Sequence, residues 1–288
     1  MIELPVKNQN TKTMVIRPNG RSAAWIAPNY ILGCNAGCSD SYCYVRRFKR
    51  PNIYVNQNWK EINQKVLEHS LGLPVFVSDQ TDEKYWTYDI CEASDLNYHW
   101  KDTEWESILE FYNQTPNIKA TFATKFTNKK LESIMVNDGK LRLRFSLMPQ
   151  LLSNKLEPNT SKVKHKLDQV EKLQSSGWDV HFNFSPVIFT DNWIDLYKKL
   201  FEQIKERQIQ LKSEVIFLTH NEFKHNDNLS NNFQYEDLLW KPEIQEEKQS
   251  QYGGTNIRYK VGLKSQMINE FKFLYSNFFP IETIRYIF

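Results

Sequence analysis

Three cysteines within one short run constrain this chain more than any other feature. Cys34, Cys38 and Cys43 stand in Gly33-Cys-Asn-Ala-Gly-Cys-Ser-Asp-Ser-Tyr-Cys-Tyr44, and the only other cysteine is Cys91. A loop of Gly, Asn, Ser and Asp can curl its thiolates around one metal centre. A [4Fe–4S] cluster is ordinarily held by four Cys ligands, so three from a single loop hold three irons and leave the fourth open to chemistry. Structural zinc sites prefer four N or S ligands, commonly as two Cys pairs, and no second pair is present. A disulfide framework belongs to small secreted chains. Chance clustering of buried thiols fits poorly with intervening residues that are turn formers. Zinc and inert thiols stand as the alternatives to the cluster.

A chain of 288 residues, 40% of them hydrophobic, is long enough for one large domain or two modest ones. No apolar run is long enough to cross a bilayer, and no membrane partner is expected. The 37 basic and 34 acidic residues leave a net charge of +3, without the strongly basic balance of a dedicated nucleic-acid binder. A local basic groove remains compatible with that balance. No targeting signal is read at the start of the chain, and an oxygen-sensitive cluster favours a reducing compartment, so a cytoplasmic location is expected.

The hydrophobic pattern alternates strands with helices. Trp25–Leu32 reads as a strand leading into the cysteine loop, 58–69 as a helix, and 73–78 and 85–91 as short extended segments. Trp105, Ile108, Leu109 and Tyr112 recur at helical spacing, with Thr103 as the expected N-cap. Strands follow at 120–125, 141–147, 180–184 and 214–218, with helices at 129–136, 161–175 and 193–208. Gly177 is placed to end the second of those helices. Such alternation predicts βα units and a parallel sheet. The expected fold is α/β, a partial (β/α)6 barrel with ligands at the carboxyl ends of its strands. Residues 221–235 read as an Asn-rich loop and 236–254 as polar and irregular, while 266–288 is apolar enough to pack back. The whole reads as one domain, 1–288, with a core of about 25–220 and a C-terminal extension of about 221–288.

The Cys-Tyr that closes the loop is similar to the signature of the radical S-adenosylmethionine (SAM) enzymes. More specifically, the chain resembles their spore photoproduct lyase group. Phe122-Ala-Thr-Lys-Phe126, Leu143-Arg-Phe-Ser-Leu147, Leu156-Glu-Pro-Asn-Thr-Ser161 and Ser185-Pro-Val-Ile188 resemble that family's Thr-Lys-Phe, Phe-Arg-Phe-Ser, Glu-Pro-Gly-Thr-Ser and Ala-Pro-Ile segments, in the same order. Glu92-Ala-Ser-Asp95 is similar to its acidic strand end, and Cys91 lies close to its functional cysteine. Two departures stand out: the part before the loop is short, and the loop reads Cys-x3-Cys-x4-Cys against the family's Cys-x3-Cys-x2-Cys.

The resemblance implies a [4Fe–4S] cluster on Cys34, Cys38 and Cys43 whose open iron chelates SAM. One electron, from a donor such as flavodoxin or ferredoxin, would then cleave SAM to a 5′-deoxyadenosyl radical. Tyr44 is expected beside SAM, Lys125 at its carboxylate, Ser146 at the polar top of the barrel, and Ser94, with Asp89, Glu92 and Asp95, near its amino group. Cys91 is either a hydrogen-atom donor or an inert buried thiol. The expected reaction is hydrogen abstraction followed by carbon–carbon cleavage. For the substrate, near-neutral charge and the altered loop favour a ribosomal precursor peptide, modified as in splicease-type relatives that excise a tyramine unit, with a small accessory protein. The alternative is repair of a thymine dimer in DNA, with Arg46, Arg47, Lys49 and Arg50 as basic residues for the phosphates. An inactive binding module is the third reading, and the complete cysteine triad argues against it.

Overall fold

The computed structural model describes residues 4–38, 41–45, 50–249 and 255–288. The chain divides into two compact units, one of residues 1–37, 49–145 and 168–181, the other of residues 38–48, 146–167 and 182–288. Arg46, Arg47 and Lys49 lie outside the described residues, as does the Tyr252-Gly253-Gly254 segment.

The first unit begins with strands β1 (Val6–Gln9), β2 (Arg17–Pro18), β3 (Trp25–Ile26), β4 (Ile31–Leu32) and β5 (Ile53–Asn56). Helix α1 (Trp59–Leu71), β6 (Trp86–Asp89), helix α2 (Trp105–Gln114), β7 (Ile118–Thr124) and β8 (Leu141–Leu147) follow. Strands β3, β6, β7 and β8 pair in parallel in that order, and β2 pairs antiparallel on β3. A smaller sheet has the order β1-β5-β4. The expected strand over 25–32 is thus two short strands in different sheets. In α2, the stripe of Trp105, Ile108, Leu109 and Tyr112 is buried as its spacing predicts, but Glu104 rather than Thr103 holds the cap position, without a side-chain bond. Residues 73–78 form no strand, and the helix expected over 129–136 is a 3-10 turn, Lys129–Ser133.

Strand β8 is buried throughout although it carries Arg142 and Arg144. Buried charge requires partners, and Arg142 has them: Nη2 lies 2.5 Å from Asp82 and Nε 2.7 Å from Asp179. Lys119 reaches the same two carboxylates at 2.8 and 2.6 Å. Lys119 and Arg142 stand near the amino ends of β7 and β8, opposite the ends where ligands gather in such sheets. The cluster is therefore structural, and Arg142 takes no part in a polar barrel top.

The second unit includes helix α3 (Gln150–Leu156) and part of helix α4 (Val163–Ser175). Strand β9 (Asp179–Val187) from residue 182 on, its residues 179–181 belonging to the first unit, helix α5 (Trp193–Glu206), β10 (Ser213–Phe217) and β11 (Thr219–Asn221) come next. Helix α6 (Glu222–Ser230), β12 (Gln245–Gln249), β13 (Thr255–Tyr259), helix α7 (Val261–Ser276) and β14 (Ile284–Ile287) complete it. Strand β10 pairs in parallel with both β9 and β14, and β13 pairs antiparallel with both β11 and β12. Helix α5 buries Leu196, Leu200, Phe201 and Ile204 on one face. The expected loop over 221–235 contains α6 instead, and the polar stretch after it carries β12. Asn221 explains the first correction, because its side chain accepts the amide of Phe223 and caps the helix. No helix among the described residues is long and apolar enough to cross a membrane.

Candidate functional site

In the first unit, the chain that enters the cysteine loop is stitched to the turn after β6. Gly33 has φ +99°, a left-handed conformation that favours glycine, and a Cβ there would meet the Asn52 carbonyl at 3.4 Å. Its amide donates to the Ala93 carbonyl at 3.0 Å, and its carbonyl accepts the Ser94 hydroxyl at 2.6 Å. Cys34 follows, buried, and its sulfur accepts the Ala36 amide at 3.4 Å. Amide donation to sulfur is among the ways a protein stabilises cluster-bound thiolates.

The turn over 91–98 is in turn bound to the carboxyl end of β7. Asp95 accepts the Thr124 hydroxyl at 2.8 Å, the Lys125 amide at 2.9 Å and the Tyr98 amide at 3.1 Å. Burial raises the Asp95 carboxyl above the usual range against the pull of those bonds. Lys125 directly follows the end of β7.

Cys91 lies just past the end of β6 and is buried. Its amide donates to Asp89 Oδ1 at 3.1 Å, while Asp89 Oδ2 receives Arg144 Nη2 at 2.6 Å. Arg144 Nε also donates to the Thr121 hydroxyl at 3.0 Å. Burial pushes the Cys91 thiol well above its ordinary range, and the nearby Asp95, Asp89 and Cys34 push it further. Sequence reasoning misses that Arg144 secures Asp89; the partner is remote in the chain, and no local signal announces it. Glu92 pairs with Arg17 at 2.6 Å and also acts on Arg50, whose pKa burial lowers. Of the expected phosphate contacts, Arg50 thus stands near an acidic side chain.

In the second unit, Cys38 and Cys43 are half-buried, and Tyr44 is 55% exposed. Between the two cysteines, the Tyr42 hydroxyl donates to Glu157, and the Ser41 carbonyl accepts Asn228 Nδ2 at 2.8 Å. Ser146 is buried; its hydroxyl donates to the Ser185 carbonyl at 3.1 Å, and its own carbonyl accepts Lys166 Nζ at 2.8 Å. None of Cys34, Cys38, Cys43 and Cys91 forms a disulfide. Three thiols from one loop, with an amide already directed at one sulfur, fit the protein ligands of a [4Fe–4S] cluster that keeps one iron open.

Residues 10–288 match the family described as Spore photoproduct lyase. The spore photoproduct lyase of Bacillus subtilis (strain 168) is 25% identical over 196 residues, covering 67% of this chain and 54% of its own length. That of Geobacillus sp. (strain Y412MC61) is 24% identical over 209 residues, covering 69% of this chain and 56% of its own. The match thus spans about half the length of these curated relatives. Among solved structures, spore photoproduct lyase complexed with dinucleoside spore photoproduct is similar at a TM-score of 0.84 and 19% identity, over 98% of this chain and 82% of that one. A double mutant of spore photoproduct lyase with bound AdoMet and dinucleoside spore photoproduct is similar to the same degree. These likenesses show the fold, an α/β fold with a curled parallel sheet in a half-barrel, as the strand–helix alternation predicts.

Proposed function

This chain belongs to the spore photoproduct lyase family, and from that premise we propose that it is a radical SAM lyase that repairs a spore-photoproduct thymine dimer in DNA. The observation that carries the reading is the family match over residues 10–288, which contains the complete cysteine triad. The preference for a precursor peptide is reversed. The relatives named above are spore photoproduct lyases, two solved structures contain the dinucleoside lesion, and nothing among them supports a splicease-type peptide substrate or its accessory protein.

Cys34, Cys38 and Cys43 would hold the cluster, with Lys125, Ser94, Ser146 and Tyr44 as the SAM-side residues. When bound, the cluster and SAM would supply a 5′-deoxyadenosyl radical able to take one hydrogen atom from the lesion and so release the bond between the two thymines. Cys91 is suited to return a hydrogen atom from its S–H bond to the thymine radical, and the thiyl radical this leaves is restored to the thiol by one electron from the reductant and a proton. Its burial keeps the thiol protonated. Asp89, held by Arg144, fixes the backbone of that thiol.

The test is anaerobic reconstitution with iron and sulfide, then reductant and SAM with DNA carrying the spore photoproduct, beside a peptide control. The expected result is 5′-deoxyadenosine together with restored thymine. Replacing all three loop cysteines by Ala should abolish both. SAM cleavage by that triple variant, or turnover with the peptide and none with the lesion, would overturn the proposal.

A further inference from the structure

The cysteine loop of this chain has two residues more than its family's pattern, and the second unit holds Ser41 and Tyr42 of that loop from two sides. Ser41 is buried, and its carbonyl accepts Asn228 Nδ2 at 2.8 Å, across 187 positions of sequence. The same amide nitrogen donates to Glu236 Oε2, so its two hydrogens are both used. Glu236 is fixed in turn: Oε1 meets His220 Nε2 at 2.8 Å and His225 Nδ1 at 2.7 Å. His225 stacks on Trp240 with ring centroids 3.7 Å apart. On the other side, Tyr42 donates to Glu157, which is buried.

A carboxylate that accepts three side-chain bonds has little freedom to turn, and it fixes the amide that clasps the loop. His220, His225 and Glu236 also offer the donor types of a metal site. Their separations of 2.7 and 2.8 Å are those of hydrogen bonds. Tetrahedral zinc ligands, each about 2.0–2.1 Å from the metal, stand about 3.3 Å apart. The triad is a bracket for Asn228.

We propose that Asn228 and Tyr42 are positioning residues that fix residues 41–43 of the loop, and through Cys43 the way the cluster site receives SAM. The second half of this inference rests on the radical SAM reading above; the first half does not. A longer loop has more conformations to lose on ordering, and the two clasps restrict Ser41 and Tyr42 before any cofactor arrives.

Two measurements on Asn228→Ala and Tyr42→Phe, each beside the parent protein, test the inference. The first is alkylation of the cysteines without cluster, followed by mass spectrometry. Cys38 and Cys43 should react about fivefold faster in each variant, by easier local opening, while Cys91 keeps its parent rate. Unchanged Cys38 and Cys43 rates in both variants overturn the clasp, and equal acceleration at Cys91 overturns it as general loosening. This arm decides the clasp even if the parent takes up no cluster, an outcome that would sink the proposed function instead. The second is the electron paramagnetic resonance signal of the reduced, reconstituted protein as SAM is titrated. The variants should hold the parent's iron content but need about tenfold more SAM for the same spectral change, as small misplacements do. Parent-like SAM titration with faster alkylation overturns the link to SAM. One zinc per chain in the parent, lost in His225→Ala, overturns the bracket by making the triad a metal site.

Discussion

The Ser94 hydroxyl donates to the Gly33 carbonyl at 2.6 Å, and this bond joins the start of the cysteine loop to the turn that follows Cys91. Ser94 was singled out in the sequence as a SAM contact; the structure shows its hydroxyl already engaged with the backbone. Ser94→Ala should lower thermal stability by about 1 kcal/mol, the net value of an ordinary hydrogen bond, and speed alkylation of Cys34 in the cluster-free protein. Denaturation curves and mass spectrometry check both. A variant with parent stability and unchanged Cys34 reactivity would show the bond to be inconsequential.

The candidate site shows in the sequence where it is local and is hidden where it is assembled from distant segments. The cysteine run, the Thr-Lys-Phe strand end at Lys125 and the stripe of α2 all show in consecutive or periodic residues. The partner of Arg144, Asp89, is 55 positions away, and Asp82 is 60 from Arg142. Helix α6 was hidden by composition: its Asn and Asp residues favour turns in the absence of tertiary contacts, and only a cap and buried Lys224 and Asn228 reveal why it forms. Asn228 drew no notice because an amide among many Asn residues gives no sign that it clasps a loop.

Arg144 is expected to matter more for Asp89 than for the fold at large. Both side chains are buried, and removing one partner of a buried ion pair strands the other's charge. Arg144→Met should cost about 3 kcal/mol, and adding Asp89→Asn should recover part of it, because the second change removes the stranded carboxylate. A double-mutant cycle by urea denaturation measures that coupling. Additive losses would show that the two side chains act independently.

The buried cluster at the amino ends of β7 and β8 should make the protein acid-sensitive. Burial by itself would raise the Asp179 carboxyl, but His181, Arg142 and Lys119 together hold it well below its ordinary value. An unfolded Asp titrates near about 3.9, so as pH falls past that point the unfolded chain takes up a proton that folded Asp179 still refuses. Its contribution is therefore complete above about pH 5 and declines as pH falls through the folded value. Asp179→Asn should lose about 3 kcal/mol at neutral pH and show a shallower decline below pH 4 than the parent, measured by denaturant titration across pH. Parallel parent and variant curves would remove Asp179 from the account.

Cys91 provides the sharpest test of the chemistry. Its thiol is buried, its amide is fixed by Asp89, and burial with the neighbouring Asp95, Asp89 and Cys34 keeps it protonated beyond the range of an ordinary thiol. A protonated thiol carries a hydrogen atom to give; a thiolate does not. Cys91→Ala should therefore leave cluster content and SAM cleavage near parent levels while lowering restored thymine by about tenfold, a barrier change of about 1.4 kcal/mol. The substrate radical, once formed, would then lack the Cys91 hydrogen, so the ratio of 5′-deoxyadenosine to thymine should rise. In the parent, alkylation of Cys91 should stay slow up to about pH 9, past the usual thiol range of about 8.5. Should Cys91→Ala keep the parent ratio of the two products, the hydrogen returned to the substrate comes from elsewhere, and Cys91 is an inert thiol of the core.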